Sequence, residues 1–139
     1  VEIVKGTTST YVPDIHKVMT SDEVIQLQDL VRGVPVADDV VDYAVRLVAA
    51  SRPDDSSATE SVAQYVSYGA SPRASQYLVL GAKARALLQS RYHVNFADVQ
   101  AIAKPVLRHR LVLNFRSRAD KVESDHIVDQ ILEAVPEEK

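Results

Sequence analysis

Apolar residues recur at helical spacing along most of the chain, and five helices follow from that pattern. Val24, Leu27, Val31 and Val34 fall at 3-4-3 spacing with Leu30 in support. Thr20, with Glu23 three residues on, forms a capping box ahead of them. Gly33 and Pro35 end this helix. Val40, Val41, Ala44, Leu47 and Val48 make a second stripe behind Asp38, Asp39 and Asp42, whose charges suit the start of a helix. Pro53 stops it, and the short Gly-Val-Pro turn between the two predicts an αα-hairpin. A third helix is expected over about 72–90, with Ala74, Tyr77, Leu78, Gly81, Ala84, Leu87 and Leu88 on its apolar stripe. Gly81 costs roughly 1 kcal/mol against alanine in a helix interior, so it predicts a closely packed neighbour. A fourth helix starts from Asn95 as cap, with Asp98 at its third position and Val99, Ile102, Ala103, Val106 and Leu107 inward. Pro105 predicts a kink or break near Lys104. Ser124 is the expected cap of a fifth helix that turns Ile127, Val128, Ile131, Leu132 and Val135 inward before Pro136.

Between these stripes the period is lost. Residues 1–19 hold a Thr-Thr-Ser-Thr run and Pro13, and read as extended or irregular. Residues 52–60 read as an exposed loop. Residues 61–68 read as a short helical turn followed by extended chain. Residues 92–94 and 111–115 alternate and are expected to pair as a ribbon, which needs helices beneath it to be stable. The fold class is therefore mainly α: a small bundle of about five helices with a minor two-stranded β ribbon.

Composition narrows the function. The chain has 139 residues, 46% of them hydrophobic, enough for one domain with a real core. It has no cysteine, so neither a disulfide nor a thiolate metal site is available. A net charge of −3 argues against a nucleic-acid partner. No apolar run approaches the ~18 residues of a membrane span. The first residue is Val1, which suggests a fragment of a longer chain.

Candidate chemistry is sparse. Four histidines offer no metal-binding spacing, because His126 and Asp129 would supply only two ligands; no metal site is expected. There is no Gly-x-Ser-x-Gly elbow and no phosphate-binding loop among the four glycines. The chain alone is not expected to hydrolyse a nucleotide. What stands out is the helix start at Gly69-Ala70-Ser71-Pro72-Arg73-Ala74. Gly69 is free to take unusual backbone angles. Ser71 is a natural N-cap and Pro72 suits the first helical position. Arg73 puts a cation where the helix dipole favours an anion. An anion shared by the helix start and Arg73 would resolve that conflict, and a plain surface arginine is the ordinary alternative. Arg108, His109 and Arg110 form a second basic run. It either complements a helix C-terminus or makes an electropositive corner, which would join Arg73 if packing brings the two together. Arg46 and Arg52 read as solvated face residues, and the tyrosines as core-edge residues with a wet hydroxyl.

Taken together, Gly69-Ala70-Ser71-Pro72-Arg73-Ala74 with its small-residue helix, Tyr92-His93-Val94 with Asp98-Val99, and Val106-Leu107-Arg108-His109-Arg110-Leu111 resemble the C-terminal lid of MoxR-family AAA+ ATPases. Val34, Val36, Asp38, Tyr43 and Arg52 resemble its first helices. The resemblance runs over about residues 20–136. It implies an interdomain connector at residues 1–19, a helical lid at 20–136 and a tail at 137–139. It also implies that Arg73 is the second-sensor arginine, facing the γ-phosphate of ATP, with Gly69, Ser71 and Pro72 at the same nucleotide-facing start. ATP and Mg would belong to the full-length parent, with neither bound tightly by this chain. The implied partners are an N-terminal AAA+ core domain, neighbouring subunits of a homo-oligomeric ring (a hexamer in most members) and von Willebrand factor A-type proteins, in a cytoplasmic chaperone-like machine. The competing readings are a free-standing helical interaction module without nucleotide dependence, and a small hydrolase built on His109 or His126.

Overall fold

The computed structural model describes residues 1–10 and 14–137. Residues 11–13 of the expected connector, Pro13 among them, and 138–139 of the expected tail lie outside the described residues. Eight helices and one two-stranded sheet are present among the described residues. Five are the helices predicted from periodicity: α2 (Ser21–Gly33), α3 (Asp38–Ala50), α5 (Arg73–Leu88), α6 (Phe96–Leu107) and α8 (Ser124–Ala134). Three short ones join them: α1 (Glu2–Thr7), α4 (Glu60–Tyr65) and α7 (Phe115–Ala119). The first of these corrects the extended reading of the N-terminal residues. Among the described residues its bonds are local, such as Thr7 Oγ1 donating to Ile3 O at 2.8 Å, and it buries nothing.

The capping box of α2 forms as expected. Thr20 N donates to Glu23 Oε2 at 2.7 Å, and Glu23 N donates back to Thr20 Oγ1 at 3.2 Å. The expected hairpin does not form. Val34, biased to extended geometry by the proline after it, has φ −63° and ψ 125°, and Ala37 is extended too at −74° and 151°. Residues 34–37 thus form a non-helical spacer that bends at Val34. It lays α2 against α5 rather than back on α3. α2 buries no residue fully, and Leu30 stays 56% exposed.

The core is centred on α5 and α6, with α3 and α8 against them. Ala74, Leu78, Ala82 and Ala86 are the fully buried line of α5, whereas Tyr77 and Leu88 of the expected stripe face outward. Apolar residues lie all round α5, so spacing alone does not single out its buried face. Gly81 does mark a close approach: a Cβ there would sit 2.8 Å from Ile102 Cγ2 on α6. Pro105 does not break α6, which runs unbroken to Leu107. The proline lies in the last turn, where little helix remains to be disturbed. α8 begins without a side-chain cap, so the Ser124 expectation is not met either.

The ribbon has a different partner from the one expected. β1 (Val66–Tyr68) pairs antiparallel with β2 (Val112–Leu113), Val66 opposite Leu113 and Tyr68 opposite Val112. Residues 92–94 are instead taken up by the spacer, where Val94 N donates to Pro35 O at 3.4 Å. Asn114 ties the ribbon down. Its N donates to Tyr65 O at 2.9 Å and its amide to Gln64 O at 2.8 Å.

Asp98 anchors the α5–α6 pair. It has no exposed surface and completes the cap of α6 by accepting from Asn95 N at 3.0 Å. Its carboxylate also accepts from Arg91 Nη1 at 2.8 Å, Arg91 Nη2 at 2.6 Å and Arg85 Nη1 at 2.5 Å. The Arg91 bonds first, then the Asn95 amide and Arg85, outweigh burial and hold its pKa down at about 2 instead of 3.8. A depressed carboxyl pKa stabilises the fold at every pH above the unfolded value. That contribution, about 2 kcal/mol, is lost as pH falls from about 4 through about 2. Urea unfolding between pH 5 and pH 2 should show this loss, and Asp98→Asn should lose less stability than wild type over that range. Identical acid slopes for the two proteins would refute the assignment.

Candidate functional site

The chain from β1 into α5 is held by backbone contacts to the end of α3. Ser51 is fully buried and donates its hydroxyl to Val48 O at 2.7 Å. The same oxygen accepts from Ala70 N at 3.0 Å. Arg52 Nε donates to Ala70 O at 3.2 Å. Both polar backbone groups of Ala70 are therefore taken by consecutive residues of another element. Gly69 lies flat against them: a Cβ would come 2.3 Å from Ser51 O and 2.7 Å from Arg52 Cα. The glycine is there for closeness, since no glycine in the described residues has a positive φ. This corrects the expectation of unusual backbone angles at Gly69.

The helix start also differs from expectation in its cap. Ser71 offers no side-chain cap. Its carbonyl accepts instead from Ala74 N at 2.8 Å, and Pro72, at φ −53° and ψ −25°, already has helical angles. The amides of the first turn thus meet no hydroxyl. Ser71, Pro72 and Arg73 are all exposed. Arg73 makes no hydrogen bond or ion pair among the described residues, so its guanidinium is available to a ligand.

A groove of about 680 Å³ opens beside this start, between α2, α3 and α5. Val41 and Val45 are among its apolar walls, Pro72 lies on it, and Arg32, Arg52 and Lys83 give it three cations. Arg52 is therefore a structural tie at the edge of the groove, not the solvated face residue expected. Arg46 is tied down as well, donating to Asp42 Oδ2 at 2.9 Å and to Pro136 O at 2.6 Å.

The second basic run is split by the fold. Arg108 is engaged with Asp125 of α8 at 3.0 Å. His109 is exposed. Arg110 turns towards α5, donates to Val106 O and lies 5.0 Å over the ring of Tyr77. Tyr77 is one helical turn beyond Arg73 on the same side of α5. Packing thus carries Arg110, but not Arg108, to the flank of α5 that bears Arg73. Among the described residues, no group of three or more metal-ligating side chains is brought together. No helix among the described residues is long and apolar enough to cross a membrane.

A small helical bundle with a two-stranded ribbon is consistent with an AAA lid domain. Residues 58–131 match the AAA lid domain family, and the chain belongs to it. Within that family its likeness is to MoxR proteins. It is 32% identical over 123 residues to Chaperone MoxR1 of Mycobacterium tuberculosis, a match covering 88% of this chain and 33% of that protein. It is 31% identical over 121 residues to the uncharacterized protein YeaC of Bacillus subtilis, covering 87% of this chain and 35% of that one. The crystal structure of a “putative ATPase” from Cytophaga hutchinsonii superposes with a TM-score of 0.83 at 27% identity, over 97% of this chain and 41% of the other. The chain thus spans about a third of the length of the curated relatives it matches.

Sequence reasoning singled out Gly69, Ser71, Pro72 and Arg73 as candidates and gave no sign of Ser51. A single serine at a helix end gives no periodic or motif signal. Its role is set by Ala70, 19 residues away.

Proposed function

We propose that this chain is the lid of an ATP-hydrolysing MoxR-type AAA+ machine and that Arg73 is its second-sensor arginine. The observation that carries the reading is the state of Arg73: an exposed guanidinium with no protein partner among the described residues, at the start of a helix whose entry, at Ala70, is held by Ser51 and Arg52. A planar guanidinium presents paired N–H donors that match phosphate oxygens and stays charged at any physiological pH. Aimed at a transferring phosphoryl group, it offsets developing negative charge, and it loses that partner after hydrolysis. Lid angle would then follow nucleotide state. Gly69, Ser71 and Pro72 shape the start of α5 that faces the nucleotide.

Among the described residues no three metal-ligating side chains come together. In this reading the phosphate loop and the metal-binding carboxylates are supplied by an N-terminal core domain of the same parent. Residues 1–19 would be the connector to it, 20–136 the lid and 137–139 the tail. Ring assembly with neighbouring subunits, cooperation with von Willebrand factor A-type proteins and a cytoplasmic chaperone-like role complete the reading. The likeness to a chaperone and to a “putative ATPase” supports it.

The test is Arg73→Ala in the full-length protein. ATP turnover is expected to fall at least about tenfold, while the melting temperature stays within a degree or so because nothing in the fold leans on Arg73. Unchanged turnover would end the sensor assignment. The isolated chain should bind ATP only weakly, and sub-micromolar affinity by calorimetry would contradict the division of labour.

A further inference from the structure

We infer that Arg52, together with Ser51, is a positioning residue for Arg73, acting through the backbone of Ala70. The inference rests on the sensor reading of Arg73 and adds to it the part of the lid that aims the sensor. Three contacts carry it. Ala70 N donates to the buried Ser51 hydroxyl at 3.0 Å. Ala70 O accepts from Arg52 Nε at 3.2 Å. Gly69 presses on the backbone of both residues, with space for no Cβ. Ala70 is three residues ahead of Arg73, which is the first residue of α5. The helix start is thus referenced to the C-terminal end of α3 rather than to its own cap, which has no side-chain bond. An exposed, long side chain with four rotatable bonds is a poor sensor unless its Cα is fixed, because small misplacements of a reacting or charge-stabilising group are costly. Arg52 also lies on the groove beside Pro72, so a shift of α3 relative to α5 would be passed directly to the sensor.

The choice of arginine has a geometric reason. Lysine at 52 would keep the charge but place a methylene at the position of Nε and its ammonium one bond further out. Arg52→Lys therefore removes the bond to Ala70 O without removing the cation from the groove.

The experiment is a double-mutant cycle in the full-length ATPase. Arg52→Lys and Ser51→Ala are each made in the wild-type and Arg73→Ala backgrounds, with kcat and KM for ATP and the melting temperature measured for all. Positioning predicts that each variant lowers kcat about tenfold, changes KM less than about twofold, and has no further effect once Arg73 is gone. Equal losses in both backgrounds would overturn the inference and leave the sensor role standing, because Arg52 would then act independently. Full activity of Arg52→Lys would also overturn it, as charge alone would suffice. Unchanged turnover in Arg73→Ala would remove the sensor reading itself. Should Ser51→Ala fail to fold, Arg52→Lys carries the cycle alone.

Discussion

Gly69→Ala is expected to destabilise the domain by about 3 kcal/mol, a large effect for one methyl group. The added Cβ would sit 2.3 Å from Ser51 O and 2.6 Å from Ser51 C. Those are backbone atoms at the end of a buried helix, so no side-chain rotation relieves the clash. The loop must lift away, and the bonds from Ala70 to Ser51 and Arg52 go with it. In urea the midpoint should fall, and thermal unfolding should drop by about 10 °C for a domain of this size. Gly33→Ala is the natural control, because nothing lies within 4 Å of a Cβ there. It should be neutral or slightly stabilising through the unfolded chain. A Gly69→Ala protein as stable as wild type would mean that α3 and the start of α5 are not in contact as described. In the full-length protein the same variant should lose turnover beyond its loss of stability, since it moves the residues that carry Arg73.

The second large effect falls on Asp98. Asp98→Ala is expected to cost about 3 kcal/mol. Removing one partner of a buried ion pair leaves the other charge uncompensated. Here Arg85 and Arg91 keep 33% and 28% of their side-chain surface exposed, so both can turn to water and soften the penalty. The remaining cost is the lost cap of α6, the void, and the severed link between α5 and α6. Asp98→Asn keeps the shape and one acceptor, and should fall between wild type and alanine. Equal stabilities for all three by denaturant unfolding would show that the cluster is decorative. Sequence reading put Asp98 at the third position behind the Asn95 cap and saw nothing of its two arginines, which come from α5 and from the loop after it.

That division recurs through the molecule. The five long helices, the capping box at Thr20, the cap at Asn95, the short helical turn and extended chain over residues 61–68 and the close packing at Gly81 were all legible. Each depends on residues within a turn or two of one another, where spacing and side-chain reach suffice. The helix start near Pro72 and Arg73 was legible as well, because a proline after a serine is a local fact.

Other features depend on which distant element packs against a given surface. Alternation marks a strand but does not name its partner, so Val112–Leu113 went to Val66–Tyr68 and not to residues 92–94. Apolar spacing marks α2 as amphipathic but does not say that it leans on α5 with much of its stripe uncovered. Basic residues at 108 and 110 look alike in the chain. Packing gives one a carboxylate at Asp125 and the other the ring of Tyr77. The sequence by itself determined a mainly helical domain with an arginine at an electrostatically awkward helix start. Only the tertiary structure decided that this start is held by Ser51 and Arg52, because side-chain-to-backbone bonds between segments 18 and 19 residues apart leave no trace in local periodicity.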